Sequence, residues 1–300
     1  MPLKRNDDTT STQSQGSSSS SSSSTSGPKY TPSNGNNDFS FKKESNGPKI
    51  IEICGEGKSG KTAMGALYAP DPVVIINFDG RAIDTVEQAR AMGRKVGLCE
   101  IYMPSEELSL EEAKAAAKEC IKKVMYNLSW AVKDSRNPGG VRTIVIDTVS
   151  ELSDIGILEW KGTHLKKGDK TDAFGQDQRF VKHIWWNITH YIRSGKANLI
   201  VTSRASGIWE DHKRVGNKPD APSVVFDSAD LVLYSSVEAE EDLRKKKINP
   251  AKFKLEVIGC GANMSELKAV YTADDWGDDG PFAYACHRQF SDTSEIEDWK

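Results

Sequence analysis

The sequence predicts an α/β domain in which short apolar strands alternate with amphipathic helices. An apolar run, Ile50–Cys54, leads through a glycine-rich loop into a segment that can start a helix. Further runs of β-branched and apolar residues recur at 72–78, 143–148 and 198–204. Between them lie segments whose apolar residues repeat at helical spacing, so strands and helices are expected to alternate along the chain.

The two ends of the chain differ in composition from its middle. Residues 1–47 contain an unbroken serine run with scattered Gly, Asn, Pro and Thr, which predicts a disordered leader. Such a leader could tether a partner or simply add solubility. We expect one globular domain over residues 48–273 and an acidic, frayed C-terminal tail over residues 274–300.

Overall charge and cysteine spacing exclude several classes of protein. The 40 Lys and Arg residues nearly balance 43 Asp and Glu residues, so binding of nucleic acid would need local basic patches. The five cysteines form no C-x-x-C pair, which favours neither a zinc site nor a disulfide framework. No stretch is apolar enough to span a membrane, and the N-terminus lacks the core of a signal peptide. We expect a protein of the cytoplasm.

A complete phosphate-loop motif, G-x-x-x-x-G-K-[ST], follows the first strand. Its backbone N–H groups are expected to surround phosphate oxygens at the positive end of the next helix. Lys61 is expected to reach the β- and γ-phosphates, and the Thr62 hydroxyl to coordinate Mg²⁺. The nucleotide-binding residues are therefore Gly55, Glu56, Gly57, Lys58, Ser59, Gly60, Lys61 and Thr62.

The next elements continue the alternation. Pro72–Phe78 predicts a second strand, and Asp79 follows it directly. A helix is expected over Ile83–Met92 and a weaker strand over Val96–Met103. Ser109-Leu-Glu-Glu112 forms a capping box that opens a long helix, predicted to end at about residue 132.

The run Thr143–Thr148 has the form of a Walker B strand. It consists of β-branched and apolar residues and closes with Asp147. In phosphate-loop enzymes the acid at this strand tip lies beside the loop and holds magnesium, directly or through water. We therefore predict that Asp147 and Thr62 form the metal site.

Two later segments are candidates for contact with nucleic acid. The basic loop 161–170 could bind a nucleic-acid backbone or be an ordinary solvated loop. The strand Asn198–Arg204 is followed by a long polar loop, predicted over 205–223, in which cations flank a tryptophan as single-stranded nucleic acid requires. The candidate residues are Lys166, Lys167, Lys170, Arg204, Trp209, Lys213 and Arg214.

The remaining segments complete the predicted sheet. Gln176–Arg193 predicts an amphipathic helix. Its core stripe is expected to comprise Phe180, Ile184, Ile188 and Tyr191. Runs 229–234 and 252–258 predict further strands, with antiparallel pairing.

This order of motifs resembles the RecA-like P-loop ATPases. Gly55–Thr62 and Ile144–Asp147 are specific to phosphate-loop enzymes, whereas Asp147–Leu152 and Ala229–Leu231 resemble phage-encoded proteins of that group linked with recombination and single-strand annealing. The resemblance covers about residues 49–260. It implies a mainly parallel sheet flanked by helices, with ATP at the carboxyl ends of the strands.

The resemblance also implies roles for particular residues and partners. RecA-like proteins use a glutamate after the second strand to activate water, whereas this chain has Asp79 there, so Asp79 or Glu151 is expected to orient the water. Lys61 and Asp147 complete the catalytic set. DNA-binding loops, homo-oligomers with ATP between subunits, and a single-strand-binding or other recombination partner are likewise implied.

The leading hypothesis is a Mg²⁺-dependent ATPase that acts on single-stranded DNA in phage-type recombination, replication or repair. Slow turnover is compatible with Asp79 in place of the usual glutamate. One alternative is a small-molecule or nucleotide kinase, which would need an arginine-rich lid. Another is a nucleotide-dependent assembly module that does not hydrolyse ATP. The choice of ATP over GTP follows from the resemblance, because the sequence has no convincing N-K-x-D element.

Overall fold

The computed structural model describes residues 47–105, 107–164, 175–210, 212–238, 252–261, 264–272 and 280–290. The predicted leader, apart from Gly47, therefore lies outside the described residues, as do Lys166, Lys167 and Lys170 of the predicted basic loop. None of the helices in the described ranges has the length and apolarity needed to cross a bilayer.

Strands and helices alternate through the first two thirds of the described chain. The strands are β1 Ile50–Gly55, β2 Val73–Asn77, β3 Val96–Glu100, β4 Thr143–Asp147, β5 Asn198–Glu210, β6 Lys213–Asp220, β7 Leu231–Glu238, β8 Lys252–Cys260 and β9 Val270–Thr272. The helices are α1 Lys61–Ala63, α2 Ile83–Ala91, α3 Leu110–Asp134, α4 Val149–His164, α5 Gln176–Arg193, α6 Ser223–Ser228 and α7 Gly280–Phe290. A π-helical turn, Met64–Tyr68, continues α1.

The described strands form one sheet in the order β3-β2-β4-β5-β1-β7-β8-β9, with β6 paired to β5 outside this path. From β3 to β7 all neighbouring strands are parallel, whereas β6, β8 and β9 pair antiparallel. The predicted fold, a mainly parallel sheet flanked by helices, is confirmed. Parallel strands are covered on both faces, and every residue of β1 and β4 is accordingly buried.

Two apolar cores lie on opposite faces of the sheet. One face packs against α3, α4, α5 and α6, with Leu128, Ile155 and Trp185 fully buried. The other packs against the π-helical turn, α2 and α7. Each residue of a central strand faces one core or the other, so successive residues of β1 reach different helices.

The capping box predicted at the start of α3 is confirmed. The Glu112 N–H donates to Ser109 Oγ at 3.4 Å, and the Ser109 N–H donates to Glu112 Oε2 at 3.0 Å. Two backbone groups at the start of the helix thereby gain partners. Helix α3 then runs for 25 residues and ends at Asp134.

The stripe predicted for α5 is confirmed in part. Ile188 is buried, and Ile184 and Tyr191 are half-buried and pack against the core, whereas Phe180 is only half-buried. The buried side chains are Val181, Trp185, Ile188, Thr189 and Ile192. The helix is therefore turned by about one residue from the prediction, because Trp185 brings its large apolar surface to the centre of the interface.

The predicted polar loop 205–223 is mostly a β-hairpin. Strand β5 continues as far as Glu210 and pairs antiparallel with β6, with a register shift between Ile208 and Trp209. Both arms of the hairpin are polar and lie largely outside the two cores, so they lack the apolar alternation that marks a half-buried strand. The sequence pattern therefore gave no sign of them.

The prediction of a frayed tail over 274–300 is wrong for residues 280–290. These residues form α7, in which Phe282, Ala285 and Cys286 join the core on the same face as the π-helical turn. Their apolar side chains are spaced three and four residues apart, as a packed helix requires. The acidic character of the neighbouring segments concealed this short apolar face.

Candidate nucleotide-binding site

The carboxyl ends of β1, β2 and β4, together with the middle of β5 at Arg204, surround a cleft of about 640 Å³. In a parallel sheet these strand ends and the loops that follow them meet at one edge, which is where ligands bind. The lining residues include all of 55–63, together with Asp79, Arg81, Thr85, Asp147, Thr148, Glu151, Arg204 and Ala205.

The phosphate loop is fixed to the neighbouring strand β7 by a close backbone approach. A Cβ added to Gly55 would lie 2.2 Å from the Ser235 carbonyl oxygen, so only glycine fits there. The Ser235 hydroxyl also donates to the Ser59 carbonyl oxygen at 2.6 Å. Gly60, at φ 81, then turns the chain into α1. The shape of the loop is therefore held from outside the loop itself.

Lys61 folds back over the mouth of the loop. Its ammonium donates to the carbonyl oxygens of Gly55 at 3.1 Å and Glu56 at 2.7 Å. Burial lowers the pKa of Lys61, an effect opposed by the negative charge of Asp147. The ammonium thus lies among backbone groups of the loop, where a phosphate would meet it.

Asp147 joins the Walker B strand to the phosphate loop and to β5. The Thr62 hydroxyl donates to Asp147 Oδ2 at 2.6 Å, and the Thr202 hydroxyl donates to Asp147 Oδ1. Burial raises the pKa of Asp147, while these two hydrogen bonds act in the opposite direction. Both carboxylate oxygens are therefore held in place before any ligand arrives.

The side chains around Asp147 fit Mg²⁺ rather than a transition metal. In the described ranges no group of three or more His, Cys, Asp and Glu side chains could hold a metal ion. Mg²⁺ needs fewer protein ligands, because it retains water and binds phosphate oxygens beside one or two oxygen ligands. Thr62 and Asp147 supply a hydroxyl and a carboxylate oxygen 2.6 Å apart, which fits this chemistry.

A second carboxylate, Glu151, faces the cleft from the first turn of α4. Its Oε1 accepts a hydrogen bond from the Arg204 guanidinium at 2.5 Å, while its Oε2 is buried without a hydrogen-bond partner among the described residues. Asp79 differs from Glu151 in its surroundings. The Asp79 side chain is exposed, and its Oδ1 accepts a hydrogen bond from the Arg81 N–H at 2.9 Å.

A buried glutamate lies behind the site, in the middle of β1. Glu52 is fully buried, and its Oε1 accepts a hydrogen bond from the Ser203 hydroxyl at 3.0 Å. Its Oε2 has no hydrogen-bond partner among the described residues. Burial raises the pKa of Glu52 to about 7, and the bond from Ser203 only partly opposes this.

The structure brings most of the sequence-predicted nucleotide-site residues together. The whole phosphate loop, Asp79, Asp147 and Glu151 line one cleft. Arg204, predicted to contact nucleic acid, lies in this cleft too and is paired with Glu151. Sequence reasoning missed four further residues that line or support the cleft: Arg81, Thr85, Thr148 and Ser235. Thr202, in the polar end of the predicted strand Asn198–Arg204, supports Asp147 from β5. A polar residue inside an otherwise apolar strand was the available signal for Ser235.

The other predicted nucleic-acid residues lie on the hairpin or outside the described side chains. Trp209 and Lys213 are exposed on the two arms of the β5–β6 hairpin. Arg214 lies in β6, but its side chain is outside the described part of the chain. The hairpin begins directly after Arg204, so it extends from the rim of the cleft.

Comparison with known proteins agrees with this site. The model of a family described as "AAA domain" matches residues 48–257. A search of curated proteins finds no match. Solved structures that match include a KaiC-like protein from the hyperthermophilic archaeon Pyrococcus horikoshii OT3, at 12% sequence identity and a TM-score of 0.39, covering 75% of this chain and 85% of that chain. Because the family model covers most of the sequence, the chain belongs to the AAA domain family and has the fold of a P-loop ATPase.

Proposed function

We propose that this protein binds Mg²⁺-ATP in the cleft and hydrolyses it, and that it acts on single-stranded DNA in phage-type recombination, replication or repair. The observation that carries the nucleotide assignment is the hydrogen bond between Thr62 of the phosphate loop and Asp147 of the Walker B strand. This bond supports the assignment, because it holds a hydroxyl and a carboxylate suited to Mg²⁺ beside a loop suited to phosphate. The cleft, the phosphate loop and Asp147 would then all contact the same ligand, Mg²⁺-ATP.

Charge supports the requirement for a divalent cation. Asp79 and Asp147 both line the cleft, and their negative charges would repel the phosphates of a nucleotide. Bound Mg²⁺ would offset this repulsion and stabilise the negative charge that develops on the phosphate oxygens during transfer. Lys61 supplies a fixed positive charge at the same place.

Hydrolysis requires a group that orients water and accepts its proton. In the reaction the water oxygen bonds to the γ-phosphorus, the bond from that phosphorus to the β,γ-bridging oxygen breaks, and ADP leaves. Both sequence candidates line the cleft, and the geometry favours Glu151 as the proton acceptor. Glu151 Oε2 is buried with no hydrogen-bond partner among the described residues, whereas the Asp79 side chain is exposed. Glu151→Gln should therefore lower the hydrolysis rate far more than Asp79→Asn.

The β5–β6 hairpin supports the proposed contact with single-stranded DNA. The side chain of Trp209 is 65% exposed, and Lys213 and Lys218 are exposed on the paired strand. Bases stack on exposed aromatic rings, and lysines attract the phosphate backbone without reading sequence. The first arm of the hairpin is the continuation of β5 beyond Arg204, which lines the nucleotide cleft, so one strand links the two proposed binding sites.

The nucleotide assignment is tested by equilibrium binding of ATP in the presence of Mg²⁺. We expect wild type to bind and Lys61→Ala to lose most of that affinity, because the variant removes the ammonium over the loop. Lys118→Ala, which removes an exposed lysine of α3, is the matched control and should bind like wild type. Equal binding by wild type and Lys61→Ala would refute the assignment.

A further inference from the structure

The exposed side of α5 forms a basic surface that is separate from the nucleotide cleft. Its residues recur at spacings of three and four, so they share one side of the helix, and none of them lines that cleft. The only acid of α5, Asp177, lies on the opposite side of the helix. We call this surface the α5 face; it comprises Arg179, Lys182, His183, Trp186, His190 and Arg193.

The positive charges of the α5 face are only partly neutralised. Arg193 pairs with Asp230 at 3.4 Å, but its side chain remains 49% exposed. Neither Arg179 nor Lys182 forms an ion pair with any residue that the structure describes. The face therefore attracts an anionic partner, because its field extends into solvent.

Trp186 adds an apolar platform to the α5 face. Its side chain is 63% exposed and stacks on His190, with 6.4 Å between the ring centroids and 27° between the ring planes. Beside it a cleft of about 430 Å³ opens between α5 and residues 227–230. A further aromatic ring can stack there and leave water. The chemistry of the face thus fits a segment that combines acids with an aromatic side chain.

The C-terminal segment 291–300 has both of these properties in its sequence. It lies outside the described residues. One aromatic residue, Trp299, follows its acids. The segment has a single base, Lys300, beside the acids Asp292, Glu295, Glu297 and Asp298.

The segment begins close to the α5 face, because α7 ends at the same edge of the sheet. Lys49 Nζ lies 5.4 Å from the centre of the ring of Phe290, the last residue of α7. The next residue, Ile50, donates its N–H to Asp230 Oδ2 at 2.8 Å, and the other oxygen of Asp230 pairs with Arg193. A short series of contacts therefore connects the end of α7 to the cations of α5.

The length of the segment matches the distance that it has to cover. Trp299 lies nine residues after Phe290. An extended stretch of that length spans up to about 30 Å. Trp186 is about 10 Å along α5 from Arg193, at a helical rise of about 1.5 Å per residue. About 20 Å then remains for the crossing from α7 to α5.

We propose that residues 291–300 dock on the α5 face. Their acids lie beside Lys182 and Arg193. Trp299 lies against Trp186 at the mouth of the cleft. A short tether gives the segment an effective concentration on the order of a millimolar, so a few surface ion pairs and one stacked ring suffice to hold it. The docked segment closes this face to other anions, and this inference does not depend on nucleotide binding.

Photo-crosslinking in the full-length chain tests this contact. The photoreactive residue p-benzoylphenylalanine replaces Trp299, and tryptic digestion with mass spectrometry follows irradiation. We expect a crosslink to the tryptic peptide 183–193, which contains Trp186, in a product with the mass of one chain.

Charge reversal shows whether the contact depends on the ion pairs. Combined Glu295→Lys and Glu297→Lys should lower the crosslink yield several-fold, and so should Lys182→Glu. Joining all three changes should restore most of the yield, because opposite charges face each other again. Lys133→Glu, at an exposed position of α3, is the matched control and should leave the yield unchanged. Lys182→Glu should keep the wild-type melting temperature, which shows that α5 remains folded.

Several results would overturn the inference. Absence of the crosslink, a crosslink to another segment, or a yield that charge reversal leaves unchanged would each do so. A crosslinked dimer would show that the segment binds a second copy instead. A crosslink that oligothymidylate suppresses as it binds would assign the α5 face to nucleic acid.

Discussion

The Thr62 hydroxyl donates a 2.6 Å hydrogen bond to Asp147 Oδ2, although 85 residues separate the two in sequence. Thr62 is the last residue of the phosphate-loop motif and lies on α1, and Asp147 ends the buried strand β4. Strand β5 lies between β4 and β1, and its Thr202 holds the other carboxylate oxygen. The proposed magnesium-binding pair is therefore preorganised by three elements, which lowers the ordering needed when a ligand binds.

Removal of the Thr62 hydroxyl should make ATP binding insensitive to magnesium. Thr62→Val removes one of the two proposed magnesium ligands, so we expect affinity in Mg²⁺ to fall by about 10- to 100-fold, close to that of wild type in EDTA. Thr62→Ser keeps the hydroxyl and should stay near wild type. A Thr62→Val variant with unchanged dependence on Mg²⁺ would contradict the metal assignment.

Glycine at position 55 is expected to be essential for the shape of the loop. Gly55→Ala would place a Cβ 2.2 Å from the Ser235 carbonyl oxygen and 2.9 Å from Ser59 Oγ. We expect loss of nucleotide binding and a lower melting temperature, measured by calorimetry and thermal denaturation. Gly57→Ala, in the same loop, would have no atom within 4 Å of its Cβ and should keep the wild-type melting temperature. Equal melting temperatures for the two variants would show that the close approach is unimportant.

Stability should fall with rising pH because of Glu52. The pKa of this buried carboxyl is raised from an ordinary value of 4.5 to about 7, so between these values the folded state binds more protons than the unfolded state. The stabilisation is complete below about pH 4.5 and is lost as pH rises through 7. It corresponds to about 3 kcal/mol of unfolding free energy.

Glu52→Gln should remove this pH dependence, because the amide cannot ionise and its Oε1 can still accept from Ser203. The variant should therefore gain unfolding free energy relative to wild type between pH 5 and pH 8, as measured by urea denaturation. Glu87→Gln, at an exposed position of α2, is the control. A difference between Glu52→Gln and wild type that stayed constant over this pH range would refute the prediction.

Trp209 and Lys213 should contribute to DNA binding in different ways. Trp209→Ala should lower the affinity for a labelled oligothymidylate by about 1–3 kcal/mol at every salt concentration, because it removes one stacking surface. Lys213→Ala should reduce the slope of log affinity against log salt by about 0.7, the value for one phosphate contact to a single strand. Fluorescence anisotropy measures both quantities.

The control for the hairpin variants is Trp186→Ala. Trp186 is 63% exposed on α5 and lies beside Asp230, at the opposite end of β7 from the nucleotide cleft. The Trp186→Ala variant should therefore bind DNA like wild type. If Trp186→Ala and Trp209→Ala weakened DNA binding equally, the loss would be due to the removal of any exposed aromatic side chain. The hairpin would then not be the specific DNA-binding surface.

The sequence predicted the parts of the site that are encoded locally. The phosphate loop is one contiguous motif between a strand and a helix, and Asp147 ends a strand of recognisable composition. The parallel sheet followed from the family resemblance, and its central strands are apolar because both faces are buried. Local pattern and tertiary structure agree in these elements.

The remaining features depend on contacts between distant segments. The pairing of Arg204 with Glu151, and of Thr202 with Asp147, is set by the register of β5 against its neighbours. No spacing in the sequence specifies such a register. The polar β5–β6 hairpin lacks apolar alternation, and the stripe of α5 depended on which face Trp185 occupies.

The central claim is that the cleft hydrolyses ATP and that single-stranded DNA acts on this reaction. The most direct measurement is the steady-state rate of ATP hydrolysis with Mg²⁺, with and without single-stranded DNA, for wild type beside Lys61→Ala. We predict a rate that DNA increases in wild type and that is absent from Lys61→Ala under both conditions. A rate that depends on Lys61 but is the same with and without DNA would contradict the DNA role. Hydrolysis that Lys61→Ala retained would contradict the assignment of the site itself.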